Sequence, residues 1–273
     1  MTRYLVVPQW QGSPSSRAMQ LIDGAHAIAG DLPRTATEIL EVPMEAGESL
    51  GTGIHRLSAL QRIRDQIGAA LEPHREPVLT VGGDCGVALA PIAHAARQVA
   101  ALAVVWLDAH PDLNAPGTSP SGAFSGMVLR SVVGDGEPAL SLPSGTVPPE
   151  RIVVGGARSY DEAEFDAVAS LGIAALSVDE LRDPSALAAA VRATGADGVF
   201  IHVDVDVLDP AELAGNAHPE PFGLTVAELT AAIGAVRAEL PLAGASLAGY
   251  SPASAASSTD DLGAILRIIG ALA

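Results

Sequence analysis

Two short runs concentrate side chains able to hold metal ions, Asp108-Ala109-His110-Pro111-Asp112 and Asp204-Val205-Asp206, and each closes a largely apolar stretch. In an extended segment residues i and i+2 face the same way, so Asp108 pairs with His110 and Asp204 with Asp206. Carboxylates crowded at a buried strand end repel one another unless protons or cations neutralise them. A divalent metal is the simplest remedy. Four carboxylates and a neutral imidazole suit two hard or borderline ions such as Mn²⁺, with shared carboxylates between them. A lone Asp after a strand is usually a turn former, but that reading does not account for two strands that each deliver a same-face pair. His202 shares the parity of Asp204 and is expected to be a core histidine or to support a ligand from behind. Asp209 is expected to cap the turn before Pro210.

Groups at these spacings need rigid strands to carry them. Short β-branched runs ending in polar or Gly-rich turns predict strands at 4–7, 78–81, 103–107, 151–154, 172–176, 199–203 and 242–247. Amphipathic stretches predict helices at 54–71, 86–99, 161–171, 185–194, 225–240 and 260–272. This alternation implies an α/β fold, a mostly parallel sheet covered on both faces. Neither a low-complexity linker nor a repeat interrupts it, so residues 1–273 are expected to form a single domain. The segments 114–122, 135–149 and 209–223 read as loops, where ligands of a parallel sheet bind. Thr225-Val-Ala-Glu228 fits a capping box, which assigns Glu228 to structure.

Composition narrows the partners. The chain carries 32 acidic residues against 15 basic ones, all Arg, for a net charge of -17. Such a surface repels nucleic acid and anionic membranes and leaves a small molecule as the expected partner. The longest apolar stretches are too short to span a bilayer. One Cys excludes an internal disulfide, and no N-terminal segment reads as a leader, so a cytoplasmic location is expected.

The two runs, preceded by Gly82-Gly83-Asp84-Cys85, resemble in order and spacing the signature motifs of the arginase/agmatinase/formimidoylglutamase (ureohydrolase) superfamily. The resemblance implies a three-layer α/β/α fold around an eight-stranded sheet. It also implies two Mn²⁺ ions, hydrolysis of a guanidino, hydroxyguanidino, amidino or amide C–N bond by a hydroxide bridging them, and a trimer or hexamer. By position, Cys85, Asp108, Asp112 and Asp204 would hold one ion, and Asp108, His110, Asp204 and Asp206 the other. Asn114 and Ser121 match residues that hold a substrate α-carboxylate, and Asp161 one that reads the α-amino group, which implies an amino-acid derivative.

Three positions depart from the family. Cys85 stands where a His is usual, which resembles the branch acting on Nω-hydroxy-arginine; a thiolate favours Zn²⁺ or Fe²⁺ more than an imidazole does. Ser125 replaces the proton-shuttling His, with His218 in the following loop as the candidate substitute. Gly249 replaces the Glu that pairs with the cationic end of the substrate, so that either Glu220 supplies the charge or the reacting end is neutral. These departures keep open a second reading, a non-catalytic protein that binds metal or ligand. A third reading, a doubly wound nucleotide-binding enzyme, is weaker because Gly82-Gly83-Asp84-Cys85-Gly86 lacks the phosphate-loop Lys and spacing and no Gly-x-Gly-x-x-Gly follows the first strand.

Overall fold

A computed structural model describes residues 2–273. The amino-terminal half runs β1 (Arg3–Val7), α1 (Gln20–Asp31), β2 (Thr37–Ile39), α2 (Leu57–Leu71), β3 (Val78–Gly82), α3 (Leu89–Gln98), β4 (Leu102–Leu107) and α4 (Val128–Val133). The remainder runs β5 (Ile152–Gly155), α5 (Glu162–Leu171), β6 (Ala174–Leu176), α6 (Val178–Leu181), α7 (Pro184–Ala193), β7 (Gly198–Asp204), α8 (Val226–Glu239), β8 (Leu242–Ala248) and α9 (Ala255–Leu272).

The strands make one eight-stranded sheet in the order β2-β1-β3-β8-β7-β4-β5-β6, and every pairing is parallel. β3, β4, β5 and β7 are buried along their whole length, as a sheet covered on both faces requires. Residues of alternating parity face opposite layers. Val105, Ile201 and Val203 pack with Ile28 of α1, Leu187 and Val191 of α7, Ile233 of α8 and Ile265 of α9. On the other face, Val104, Trp106 and Phe200 pack with Ile92 of α3 and Val132 of α4, while Ile63 and Ile67 of α2 close over Leu5 and Val7. The result is the three-layer α/β/α arrangement.

The seven strands expected from apolar runs are all present, and β2 is an eighth that the runs do not reveal. Three helices begin elsewhere than periodicity suggests, α2 at Leu57 and not residue 54. Residues 85–88 form a 3₁₀ turn, with the Asp84 carboxylate accepting from Gly86 N at 2.9 Å, before α3 begins. α9 starts at Ala255, not residue 260, because Ser254 and Ser257 supply the reciprocal cap. The Thr225–Glu228 capping box forms as expected. Among the described residues no helix is long and apolar enough to cross a membrane.

Candidate metal centre

Four adjacent strands, β3, β8, β7 and β4, deliver the chemistry at their carboxyl ends. Cys85 follows β3, Asp108, His110 and Asp112 follow β4, Asp204 and Asp206 sit at the end of β7, and Gly249 follows β8. They converge on a cavity of about 150 Å³ that also receives Asn114, Ser121, Ser125, Asp161 and His218. All eleven lie where the sequence expects a pocket, joined there by Gly249. Glu220 is the exception: it does not line the cavity, and its Oε1 stands 3.9 Å from His110 Nε2 at the rim.

The donor atoms crowd together. Cys85 Sγ is 2.9 Å from Asp204 Oδ2 and 3.7 Å from Asp108 Oδ2. His110 Nδ1 is 3.0 Å from Asp206 Oδ2 and 3.4 Å from Asp108 Oδ1. Backbone amides aim the carboxylates: His110 N donates to Asp108 Oδ1 at 2.7 Å, Ala109 N to Asp206 Oδ1 at 2.9 Å and Asp206 N to Asp204 Oδ1 at 2.9 Å. Asp112 holds a left-handed backbone, φ 51°, and its buried Oδ2 has no partner among the described residues. A non-glycine residue in that region costs of order 1 kcal/mol or more and persists where its surroundings dictate it.

In the metal-free chain these charges are costly. Burial and then repulsion from Asp206 raise the Asp204 carboxyl to about 7, and burial with Asp108 alongside raises Asp206 to about 6. Asp112 is pushed well above the usual carboxylate range by burial and by Asp108. Burial and the neighbouring Asp204 likewise push the Cys85 thiol up. Burial alone would lower His110, but hydrogen bonds to Asp108 and Asp206 outweigh it and raise the imidazole far above its ordinary value. A thiol, an imidazole and four carboxylates, one with an orphaned oxygen, fit divalent ions better than they fit one another.

The pocket wall has its own order. Asn114 Nδ2 donates to Asp161 Oδ2 at 2.8 Å, and Thr118 Oγ1 donates to Asn114 Oδ1 at 3.0 Å. Asp161 also begins α5 in a capping box with Glu164. Buried Glu164, which the sequence does not single out, accepts from Leu113 N at 2.9 Å and Asp161 N at 3.0 Å and so ties the Asp112 turn to α5. Ser125 adds a hydroxyl to the wall. His218 lies over the centre, its ring edge-on to His110 with centroids 6.3 Å apart, and its buried Nε2 is unpartnered among the described residues. Burial lowers its pKa.

Gly249 is fixed by contact. Its φ of +85° is unfavourable to any L side chain, and an added Cβ would lie 2.1 Å from Asp204 Oδ1. No carboxylate can project from this position without displacing a candidate ligand.

Arg158 also escapes sequence reasoning. Half-buried after β5, it donates to the carbonyls of Asp206 (2.7 Å), Glu220 (2.8 Å), Pro221 (2.9 Å) and Gly156 (3.0 Å). It therefore clamps the loop bearing His218 to the turn bearing Asp206. Its one available signal was its place, just beyond a fifth strand on the same side of the sheet.

The arginase family model matches residues 14–269. The arginase of Bacillus caldovelox is 34% identical over 212 residues, 73% of this chain and 68% of that protein. Its native structure at pH 5.6 superposes with a TM-score of 0.83 at 27% identity, covering 100% of this chain and 98% of that one. The arginase of Entamoeba histolytica, solved with L-ornithine, shares the fold with a TM-score of 0.86 at 21% identity, covering 99% of this chain and 97% of that one.

Proposed function

Because this chain belongs to the arginase family of metal-dependent hydrolases, we propose that it cleaves the C–N bond of a small amino-acid derivative whose reacting end is hydroxyguanidino or amide rather than a strongly basic guanidinium or amidinium. The observation that carries the proposal is Gly249, where backbone conformation and the contact with Asp204 leave no room for an acidic side chain. A guanidinium buried there would lack its carboxylate partner, and an unpaired buried charge costs about 3–5 kcal/mol. An N-hydroxyl lowers guanidine basicity and an amide is neutral, so both avoid that cost.

Two divalent ions, one held by Cys85, Asp108, Asp112 and Asp204 and the other by Asp108, His110, Asp204 and Asp206, would supply Lewis acidity and make water nucleophilic near neutral pH. The ions are Mn²⁺ by family habit, with Zn²⁺ or Fe²⁺ favoured at the thiolate. Asn114 and Ser121 donate to the substrate α-carboxylate, and Asp161 accepts from its α-ammonium. Asp161 is held for this by Asn114 at 2.8 Å. The Ser125 hydroxyl is too weak an acid to stand in for an imidazolium at neutral pH. His218, which lines the cavity and whose Nε2 is unpartnered among the described residues, is the residue placed to exchange a proton with the leaving nitrogen. Glu220, at the rim, is left without a part in binding the reacting group.

A panel of amino-acid substrates presented to the metal-loaded chain tests this, with urea, hydroxyurea and ammonia as readouts. The hydroxyguanidino or amide compound should exceed arginine in kcat/KM on the order of 100-fold or more. Arginine turned over as well as either would remove the proposal, and metal uptake without any turnover would return the binding-protein reading that Ser125 and Gly249 keep open.

A further inference from the structure

One register step below the ligands, a polar row crosses the sheet. Thr80 of β3 lies beside Ser246 of β8, Ser246 beside His202 of β7, and His202 beside Trp106 of β4. All four are fully buried. His202 Nδ1 meets Ser246 Oγ at 2.8 Å, and its ring stacks on Trp106 with centroids 3.7 Å apart. These contacts fix the plane of the imidazole, yet Nε2 has no partner among the described residues. Leaving a buried polar nitrogen unsatisfied is unfavourable, and an apolar side chain could fill the same space without that cost.

The ring is close to candidate ligands. A ring nitrogen of His202, Cys85 Sγ and an Asp108 carboxylate oxygen all lie within 4.8 Å of one another. The Cys85 thiol nonetheless spends its hydrogen bonds on Asp204 and Asp108, not on His202. This spacing is looser than a hydrogen bond and suits donors gathered round one ion, where bonds of roughly 2.0–2.3 Å set ligand atoms up to about 4.5 Å apart.

We propose that His202 is a nitrogen ligand of the ion at Cys85, so that an imidazole rising from β7 joins the thiolate and Asp108. The proposal rests on the reading of this cavity as a metal centre. Ser246 fits the role: a hydroxyl accepting from Nδ1–H leaves the lone pair on Nε2 for the ion, as the partners of metal-bound histidines generally do. Thiolate, imidazole and carboxylate together form a donor set that suits zinc better than manganese. The two metal positions would then differ in kind, the first joining a thiolate and an imidazole to its carboxylates and the second an imidazole alone.

X-ray absorption at the zinc edge of the full-length chain loaded with zinc counts imidazoles directly. The expected wild-type result is two imidazoles per two ions, from His110 and His202. His202→Asn should lose one of them while sulfur scattering persists, and its zinc affinity should fall at least about tenfold. If His202→Asn does not fold, His110→Asn combined with His218→Asn decides the matter, because the imidazole signal that survives there belongs to His202. A single imidazole in the wild type, no imidazole in that double variant, or a His202→Asn spectrum superimposable on wild type would overturn the inference while leaving the metal centre intact. A chain that takes up no zinc or other divalent ion would overturn both.

Discussion

At Gly249 a missing side chain carries as much meaning as any residue present. With φ at +85° and Asp204 Oδ1 2.1 Å from where a Cβ would stand, Gly249→Ala should cost at least about 2 kcal/mol. It should also weaken metal binding, because the carboxylate most easily displaced is that of Asp204. Urea unfolding with and without metal separates the two effects; an alanine variant as stable as wild type would mean that the close approach is not real. The convergence of Asp108 and His110 with Asp204 and Asp206 was legible from spacing, since same-parity pairs at two strand ends need no tertiary information, whereas Cys85 entered only through the family resemblance. Glu164 and Arg158 were not, because each acts on distant backbone: Glu164 on Leu113 N and Arg158 on the carbonyls of Asp206 and Glu220. Sequence spacing carries no record of such contacts.

Among the elements, the central strands announced themselves through continuous β-branched runs, whereas α1 and β2 did not. α1 lacks a side-chain cap at Met19 and buries Gly24 and Ala25 beside Leu21 and Ile28. A Cβ on Gly24 would lie 2.1 Å from Tyr250 O, so the helix packs by close approach and carries little of the usual apolar stripe. β2 is a three-residue edge strand with two exposed positions, which leaves no alternation to read. The loop between β7 and α8 depends on Arg158. Arg158→Met should keep the fold, increase amide exchange across residues 216–222, and lower kcat more than it raises KM, since His218 loses its place over the cavity. Unchanged exchange in that loop would show that the clamp is dispensable. At the other end of the same loop, Thr225→Ala should cost about 1 kcal/mol in global stability through loss of the α8 cap, with no change in metal content.

For the whole molecule, the order β3-β8-β7-β4 gathers segments remote in sequence at one edge and concentrates charge there. The carboxyls of Asp204 and Asp206, raised to about 7 and about 6 in the folded metal-free chain, bind more protons folded than unfolded between pH 4 and 7. Their contribution is fully present below the unfolded carboxylate pKa and is lost as pH rises through the folded values. His110, also raised, acts in the same direction above its ordinary value. The chelated protein should therefore show a lower urea midpoint at pH 8 than at pH 5. Metal replaces those protons, so the stabilisation it provides should be larger at pH 8. A metal-free chain more stable at pH 8 than at pH 5 would contradict this assignment of the charges.

The central claim is the two-metal cluster, and elemental analysis of protein purified without chelator tests it most directly, with Asp108→Ala, Asp206→Ala and Cys85→Ala alongside the wild type. The account predicts close to two divalent ions per wild-type chain, marked loss in both Asp variants, and loss confined to one ion in Cys85→Ala. A wild-type chain that holds no divalent metal, and takes up none from Mn²⁺, Zn²⁺ or Fe²⁺ solutions, would contradict it.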